Sequence, residues 1–523
     1  MASKQLDPEH VSHPSISWAL QHIARYGDTD VFPIAFEYQA FQSIWPTLLD
    51  ALHKVNIAEH ELGAAIRMMV PKHVGGYRSA TQTDPVDSLL LLAMVYEMAP
   101  QIEGFRIPVD IKISCAYRLE IESNGQFFSK DSGWGDFQEK SKELVDDFLC
   151  THVVCTDVSD FYNQISHHRV QNSLGSAQVA ENRSHVLERF LSNLNALHHS
   201  RGIPVGPTSS ILLAECALAD VDNYLMRRQF KHTRYVDDFR IFCDSEEEAV
   251  KALHELSDYL FKSHRLSLQP SKTRVLSHDE FKSRELHDPE KMEQDKKTRF
   301  ISNMIEEWGF GPYGAPQANI DEVEQDAIRE SIVELFDELL QLPVLPLGLT
   351  RYVLRRAGAI RSRAILQRSL DNVDKLIPAL RDLIIYWCKV ADKKRPEQIG
   401  ERLKWIIQDS KFRSLPYVQY WILSAFESNP TLCDSTTAIA LAEDSDPQIR
   451  DRMAALLARK HGIVDWVRSR KETWLNTSAW GQRAIIWSSS ALPKNERMHW
   501  LKSIANYPVL SIRSVAKASM AMK

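Results

Sequence analysis

Residues 234–242 read Arg-Tyr-Val-Asp-Asp-Phe-Arg-Ile-Phe, two short apolar runs with a pair of acids, Asp237 and Asp238, between them. The runs favour extended backbone, whereas aspartates are poor strand formers that tolerate a tight turn. The stretch therefore predicts a β-hairpin with two carboxylates at its tip. Adjacent carboxylates repel each other unless a cation neutralises them, so a pair held on a rigid turn suits one or two hard divalent ions. A solvated turn is the alternative interpretation, because so short a pattern also arises by chance.

A second acid-bearing segment lies upstream, at residues 152–162. It begins as an apolar β run, reaches Asp157 and then breaks into a polar turn that two aromatic residues close. If Asp157 ends a strand beside the hairpin, three carboxylates converge. Such a cluster suits phosphoryl transfer with two metal ions, in which one ion activates the attacking hydroxyl and both stabilise the phosphate. The predicted cofactor is two Mg²⁺ ions, with Mn²⁺ as an alternative.

These segments resemble known sequence motifs. Asp157 followed five residues later by Tyr162, with Tyr-Val-Asp-Asp at 235–238, resembles motifs A and C of the reverse transcriptases. Residues 201–210, a Gly/Pro turn that opens the apolar segment 211–225, are similar to motif B, and residues 266–273 resemble motif D. Four motifs in this order imply the fingers and palm of a right-hand polymerase, a nucleotidyltransferase that consumes dNTPs.

The resemblance also implies residue roles. Catalysis is implied at Asp157, Asp237, Asp238 and Lys272, metal binding at Asp157, Val158, Asp237 and Asp238, and nucleotide binding at Lys72, Arg78, Ser159, Asp160, Phe161, Tyr162, Pro204 and Gly206. In these roles the cations of a fingers hairpin hold the triphosphate, and backbone amides after motif A cradle its phosphates. Tyr162 excludes a 2′-hydroxyl, and Lys272 protonates the pyrophosphate. The alternatives are solvated cations, a core aromatic at Tyr162 and a turn acid at Asp160.

Composition limits the class of protein. The chain has 523 residues, 44% of them hydrophobic and 25% charged, which is ordinary for a globular protein with two or three cores. Seven scattered cysteines without a Cys-x-x-Cys pair, no signal-peptide pattern and no bilayer-spanning apolar run predict reduced thiols in a cytoplasmic protein without a membrane partner. The net charge of −6 is unusual for a protein that grips long nucleic acid.

The predicted fold is α+β, with an all-α C-terminal half. Residues 1–64 form an N-terminal helical region that starts as a loosely held arm, and a helix is expected over Leu48 to Val70. Residues 65–285 form the fingers and palm, and 286–320 a charged linker. Residues 321–523 carry amphipathic helices with a weak HEAT-like repeat. A basic stretch is expected to line a path for the product strand, at Arg351, Arg355, Arg356, Arg361, Arg363 and Arg368.

Two further predictions concern an arginine and two pairs of histidines near the motifs. Arg118 is expected to contact template or triphosphate, or to form a structural salt bridge. Two histidine pairs flank motifs A and B and are expected at the surface or on phosphates, because adjacent histidines point in different directions and make a poor metal site: His167 with His168, and His198 with His199.

The architecture as a whole resembles one branch of the reverse transcriptases, the bacterial abortive-infection enzymes that defend their host against phage, and most closely the prophage-borne kind. The resemblance implies untemplated synthesis of single-stranded DNA that stays covalently joined to a priming tyrosine. It further implies a homo-oligomer, either a trimer or a hexamer, and a phage protein as trigger. Tyr26 and Tyr38 are the candidate priming residues.

Two other functions remain open. One is a conventional RNA-templated reverse transcriptase that works with a structured RNA. The other is a catalytically vestigial scaffold that binds a phage protein through its helices. The three acids weigh against the scaffold, because a disused site has no reason of stability to keep clustered carboxylates.

Overall fold

A computed structural model describes residues 9–73, 76–130, 132–147, 149–194, 200–286, 322–391 and 397–522. They fall into two compact units. The first comprises Met1–Asp30, Ile34–Ile66 and Thr81–Asp288, and the second comprises Val31–Pro33, Arg67–Ala80 and Pro289–Lys523, in each case as far as the residues are described. The expected linker lies almost wholly outside the described residues, as do His198 and His199.

Two sheets contain the strands of the described residues. The strands are β1 Ile66–His73, β2 Gly76–Gln82, β3 His152–Asp157, β4 Lys231–Tyr235, β5 Asp238–Cys243 and β6 Arg274–Ser277. β1 and β2 form a hairpin, and the other four form an antiparallel sheet in the order β4-β5-β3-β6. The hairpin predicted around Asp237 is present as β4 and β5, and the motif A strand lies at the centre of the sheet as β3.

Helices cover this sheet within the first unit. They are α1 His13–Tyr26, α2 Glu37–Ser43, α3 Thr47–His53, α4 Pro85–Phe105, α5 Trp134–Val145, α6 Phe161–Gln164, α7 His167–Ser176, α8 Glu181–Leu194, α9 Thr208–Arg227, α10 Glu246–Tyr259 and α11 His278–Phe281. α10 packs against β3 and β5, and α5 packs against β4 and β5. α4 is buried on every side from Leu89 to Val95, as expected of a helix that is apolar all round.

The second unit is helical apart from its share of the β1–β2 hairpin. Its longer helices are Glu322–Gln341, Leu347–Ala359, Leu366–Asp371, Leu380–Val390, Glu397–Gln408, Pro416–Ser428, Ser435–Glu443, Arg450–Lys460, Val464–Lys471, Ala479–Ser488, Lys494–Ile504 and Leu510–Ala521. The predicted helical C-terminal half is confirmed, and a HEAT-like period remains a prediction. No helix in the described ranges combines the length and the apolar character needed to cross a membrane.

Two predictions about the N-terminal region are wrong. The helix expected over Leu48 to Val70 ends at His53, and a strand begins at Ile66. Ile66, Met68 and Val70 are buried while Met69 is 54% exposed, and this alternation with a period of two marks a strand. The described part of the N-terminal arm is not loosely held either, because α1 packs on α4 and buries its apolar side chains there.

A buried ionic network lies beneath the β4–β5 hairpin. Arg234 is fully buried and donates to both carboxylate oxygens of Asp222, at 2.9 and 2.6 Å, while its Nη1 lies 3.1 Å from Glu215 Oε2. Arg106 reaches the same glutamate at 2.9 Å. Burial acts to raise the pKa of Asp222, but the charge of Arg234 outweighs it and holds that pKa below its usual range. Asp222 therefore stays ionised in the core because Arg234 neutralises it.

Replacing Arg234 tests how much this network contributes to the stability of the fold. We expect Arg234→Ala to lower the free energy of unfolding by about 3 to 5 kcal/mol, since Asp222 loses its bidentate arginine and Glu215 loses one of its two. Arg228→Ala is the matched control, because Arg228 pairs with Glu255 at a half-exposed site where solvent screens the pair. Chemical denaturation of the full chain measures both changes. Equal losses in the two variants would contradict the expectation.

Candidate active site

Three carboxylates converge at the end of the four-stranded sheet. β3 and β5 pair with Asp157 opposite Asp238, and the turn that joins β4 to β5 carries Asp237. One ligand oxygen of each acid lies within 4.8 Å of the others. The Val158 amide donates to the Asp237 carbonyl at 3.2 Å, which ties the motif A strand to the hairpin turn. The acids that the sequence singled out therefore form one group that could hold a metal ion.

The charges of this group are only partly compensated within the first unit. Burial, with the nearby charges of Asp157 and Asp238, raises the pKa of Asp237 to about 7. Lys272 places its Nζ 2.6 Å from Asp157 Oδ2. Desolvation acts to lower the pKa of Lys272, but its hydrogen bond to Asp157 and the charge of the acids raise it overall. A cluster of three carboxylates facing one lysine has the donor set that a divalent cation prefers.

The backbone at the tip of the hairpin is strained, and a hydrogen bond from Arg234 holds it in place. Val236 has a φ of 56°, in the left-handed region that a β-branched residue rarely adopts. Its carbonyl accepts a hydrogen bond of 2.7 Å from Arg234 Nη1. The same guanidinium that neutralises the buried acids therefore fixes the backbone immediately before Asp237.

The turn after Asp157 differs in part from the expectation. The Ser159 amide donates to the Ser267 carbonyl at 2.8 Å, so it is engaged within the fold and is not free to contact a phosphate. Asp160 adopts a left-handed backbone with a φ of 47° and accepts from Asn163 Nδ2 at 2.7 Å. That exposed carboxylate closes the turn at the start of α6, and Phe161 is buried behind it.

The loop expected to be motif B packs directly on motif A. The Ile203 amide donates to the Tyr162 carbonyl at 3.0 Å, which places the two motifs side by side. Gly202 and Gly206 have φ values of 88° and 114°, backbone conformations that favour glycine, and Pro204 is buried between them. Burial and the nearby Tyr117, Glu215 and Asp237 raise the pKa of Tyr162 well above its usual value.

Other predicted residues lie in different surroundings. Lys72 and Arg78 belong to the second unit, where Lys72 is exposed and Arg78 is half-buried. In that unit the Arg67 amide at the base of the same hairpin donates to Gln448 Oε1 at 3.1 Å. The hydroxyls of Tyr26 and Tyr38 are both buried, and burial with the nearby Asp28 raises the pKa of Tyr38 well above its usual value.

Several charged and polar residues have structural partners. Arg118 is buried, and its Nη2 lies 2.6 Å from Glu103, which fits the salt-bridge interpretation. His167 is fully buried, and its ring contacts Ser192 and the Gly202 carbonyl, so the expectation of a surface or phosphate contact is wrong for it. In the basic stretch of the second unit, Arg351 and Arg355 form salt bridges with Asp382, and Arg368 forms one with Asp337.

Sequence reasoning missed the supporting residues. Glu215 and Asp222 lie seven positions apart in an apolar helix, and therefore on one face of α9. Acids at buried positions of such a helix indicate a buried cation, because an unpaired charge in a core is costly. Arg234, beside the paired aspartates of motif C, is that cation. The sequence held this signal, but nothing in it identified the partners.

Comparison with known proteins supports the polymerase assignment. Residues 71–302 match the family model described as "Reverse transcriptase (RNA-dependent DNA polymerase)". The chain therefore contains a reverse transcriptase domain, and such a domain implies nucleotidyl transfer. No curated protein sequence matches the chain.

Solved structures similar to this chain include two yeast telomerases. One is telomerase from Candida albicans in complex with a TWJ fragment of telomeric RNA, at 12% identity over 72% of this chain and 66% of that chain, with a TM-score of 0.31. The other is apo telomerase from Candida tropicalis, at 9% identity over 69% of this chain and 70% of that chain, with a TM-score of 0.36. The chain thus spans about two thirds of the length of these proteins.

The raised pKa of Asp237 makes metal binding pH-dependent. Below pH 7 a divalent ion must displace the proton of this carboxyl, so we expect affinity for Mn²⁺ to fall about tenfold per pH unit there and to level off above pH 7. Isothermal titration calorimetry between pH 5.5 and 8.5 measures this. In Asp237→Asn the slope should flatten, whereas the exposed acid variant Asp279→Asn should keep it. A pH-independent affinity in the unmodified chain would contradict the expectation.

Proposed function

We propose that this chain is a DNA polymerase of the reverse transcriptase type, acting in antiviral defence, which joins dNTPs without a nucleic-acid template. Synthesis starts on a tyrosine hydroxyl of the protein, and the single-stranded product stays covalently attached. The observation that carries the catalytic part is the convergence of Asp157, Asp237 and Asp238 within 4.8 Å inside a reverse transcriptase domain. The defence role and the priming rest on the resemblance to the abortive-infection branch.

The reaction follows from the groups around this cluster. A hydroxyl attacks the α-phosphorus of a dNTP, a phosphodiester bond forms, and the bond to pyrophosphate breaks. Asp157, Asp237 and Asp238 would hold the divalent cations, with Val158 contributing from the backbone. When bound, Mg²⁺ lowers the pKa of the attacking hydroxyl and stabilises charge on the phosphate. Lys272 is close enough to the cluster to deliver a proton to the departing pyrophosphate.

Nucleotide selection is assigned to residues on both sides of Asp157. Tyr162 lies five residues after Asp157, at the start of α6, where its carbonyl accepts a hydrogen bond from the motif B loop, and acts as the gate against a 2′-hydroxyl. Pro204 and Gly206 shape that loop. Lys72 and Arg78 contact the triphosphate. Asp160 shapes the turn that precedes the gate, since its carboxylate is occupied by Asn163.

Protein priming demands a change around the candidate tyrosines. Both Tyr26 and Tyr38 have buried hydroxyls, so the N-terminal segment rearranges before either one attacks. A phage protein is the proposed trigger, and the helical second unit, with HEAT-like repeats, is its docking domain. The net charge of −6 favours an enzyme that does not hold a long duplex. The working form is a homo-oligomer, a trimer or a hexamer.

An RNA-templated reverse transcriptase is the second candidate. The description of the matching family, an RNA-dependent DNA polymerase, favours it. It requires a structured RNA that copurifies with the protein and a product whose sequence copies that RNA. The vestigial scaffold is the least favoured function, because clustered acids that raise the pKa of Asp237 to about 7 repel one another and do not stabilise the fold.

A template-free synthesis assay tests the proposal. Purified chain is incubated with Mg²⁺ and labelled dNTPs, without primer or RNA, and run on a denaturing gel before and after nuclease. We expect label that migrates above the protein and shrinks with nuclease. Asp238→Asn should reduce it by at least about a hundredfold, the scale of losing a group that stabilises the transition state, while Asp279→Asn should retain it.

The opposite results separate the other candidates. Label only after RNA is added, in free DNA, would replace the proposal with the templated enzyme. No synthesis under either condition would leave the scaffold.

Tyr162 gives a second test of the chemistry. We expect Tyr162→Ala to narrow the preference for dNTPs over ribonucleotides by roughly 10 to 200-fold, the range for losing one steric contact in a pocket. Tyr162→Phe keeps the ring and should keep the preference. Single-nucleotide incorporation, measured as kcat/KM for each sugar, provides the comparison. If the alanine variant loses activity with both sugars equally, the side chain supports the fold and is not a gate.

A further inference from the structure

A cavity of about 230 Å³ opens beside the metal cluster, within the first unit. Asp157 and Asp238 form part of its wall, and the remaining wall includes Trp134, Lys272 and Arg274. The cavity lies on the face of the sheet that carries the two aspartates, since residues opposite one another in an antiparallel pair share a face. It is therefore the space that the growing end of a product would meet first.

The aromatic wall of this cavity is exposed where an aromatic ring is normally buried. Trp134 is 49% exposed at the start of α5, and its ring makes an edge contact with Tyr235 at 5.2 Å between centroids. Tyr235 in turn pairs across the hairpin with Asp238. Tyr235 thus neighbours both Trp134 and Asp238. An exposed indole that lines the same cavity as the aspartates is a surface on which a nucleobase can stack.

Two arginines flank Cys155 on this face, and they are used differently. Arg240, opposite Cys155 on β5, is buried, stacks on Phe137 at 4.3 Å and donates to Ser141 Oγ at 2.9 Å. Arg274, opposite Cys155 on β6, is exposed and forms no salt bridge within the described part of the chain. Arg240 therefore forms the floor of the cavity. Arg274 places a positive charge at its rim.

We propose that this cavity holds the nucleotide behind the 3′ end of a single DNA strand, with its base stacked on Trp134 and its phosphate beside Arg274. The assignment rests on the proposed function, because that function puts a 3′ hydroxyl at the aspartates. The arrangement is independent of sequence, since every base offers a π face and every nucleotide one phosphate. It gives an enzyme without a template a means of retaining its product between additions.

The packing around Arg240 on the floor of the cavity favours a single strand over a duplex. Arg240 is locked by Phe137, Ser141 and by Gln138 at 3.1 Å, so α5 lies close over the sheet two residues from the aspartates. Phe281 of α11 contacts the same guanidinium at 5.3 Å to its ring centroid. Helices α5 and α11 therefore border the cavity on the aspartate-bearing face and limit, on that side, the space for a second strand.

Photo-crosslinking tests the position. Single-stranded oligonucleotides with one 5-iodo-deoxyuridine at the terminal, second or third position from the 3′ end are irradiated with the full chain, without dNTPs. Tryptic digestion isolates residues 131–140, Asp-Ser-Gly-Trp-Gly-Asp-Phe-Gln-Glu-Lys, whose only tryptophan is Trp134. We expect the second position to give the strongest crosslink in this peptide. A crosslink equally strong with free iodo-dUTP would assign the cavity to the incoming nucleotide and overturn the proposal.

Variants of Trp134 and Arg274 test how much each side chain contributes to binding of the strand. We expect Trp134→Ala to weaken binding of labelled oligo(dT) roughly tenfold and to shorten the untemplated product, and Trp134→Phe to restore most of both. Trp405→Ala is the matched control, because Trp405 of the second unit is 41% exposed and also has an arginine over its ring. Arg274→Gln should lower the slope of log affinity against log salt by about 0.7, the value of one phosphate contact on a single strand.

The outcomes separate this proposal from the proposed function. Synthesis by the unmodified chain with crosslinks elsewhere, or with Trp134→Ala indistinguishable from Trp405→Ala, would overturn the cavity assignment and leave the polymerase. Crosslinking at residues 131–140 in a chain that makes no DNA would retain the strand-binding cavity and reject the polymerase.

Discussion

The structure of the catalytic end depends on one buried guanidinium. Arg234 forms a bidentate pair with Asp222, reaches Glu215 and donates to the Val236 carbonyl at 2.7 Å. A single side chain thus joins helix α9, which follows the motif B loop, to the hairpin that presents two of the three acids. The aspartates repel one another, and the turn that carries them is strained at Val236. Such a turn persists only where the surroundings over-determine it, and the network provides that constraint.

This constraint explains why the charged residues near the hairpin form two layers: buried acids paired with arginines in the lower layer, and the three aspartates in the upper layer. In the lower layer Glu215 and Asp222 are matched by Arg106 and Arg234. In the upper layer the three aspartates lie within 4.8 Å of one another, and Lys272 pairs with Asp157. The matched layer can be buried because its charges are paired, and it carries no net demand for a ligand. The three aspartates of the upper layer lie close enough together to repel one another, which is why a cation belongs there and not among the acids below.

Local chemistry explains how much the sequence could predict. The hairpin at Asp237 and the strand before Asp157 were predictable, because turn formers between β-prone residues act over a few positions. The antiparallel partner of Asp157 was not, since that pairing joins residues 81 positions apart. The helix predicted over Leu48 to Val70 is wrong because Ile66, Met68 and Val70 are buried with a period of two, which is the pattern of a strand. His167 was misplaced because a histidine can be buried when both ring nitrogens have partners.

The contact between Lys272 and Asp157 gives the site a counterion of its own. At 2.6 Å the ammonium group occupies space that an ion would share, so a metal that loads the cluster must displace it. Competition of this kind makes the metal-free site tolerable to the fold while lowering the apparent affinity for the ion. In the proposed reaction Lys272 would donate a proton to pyrophosphate, and its contact with Asp157 would hold it at the metal site until a cation took its place.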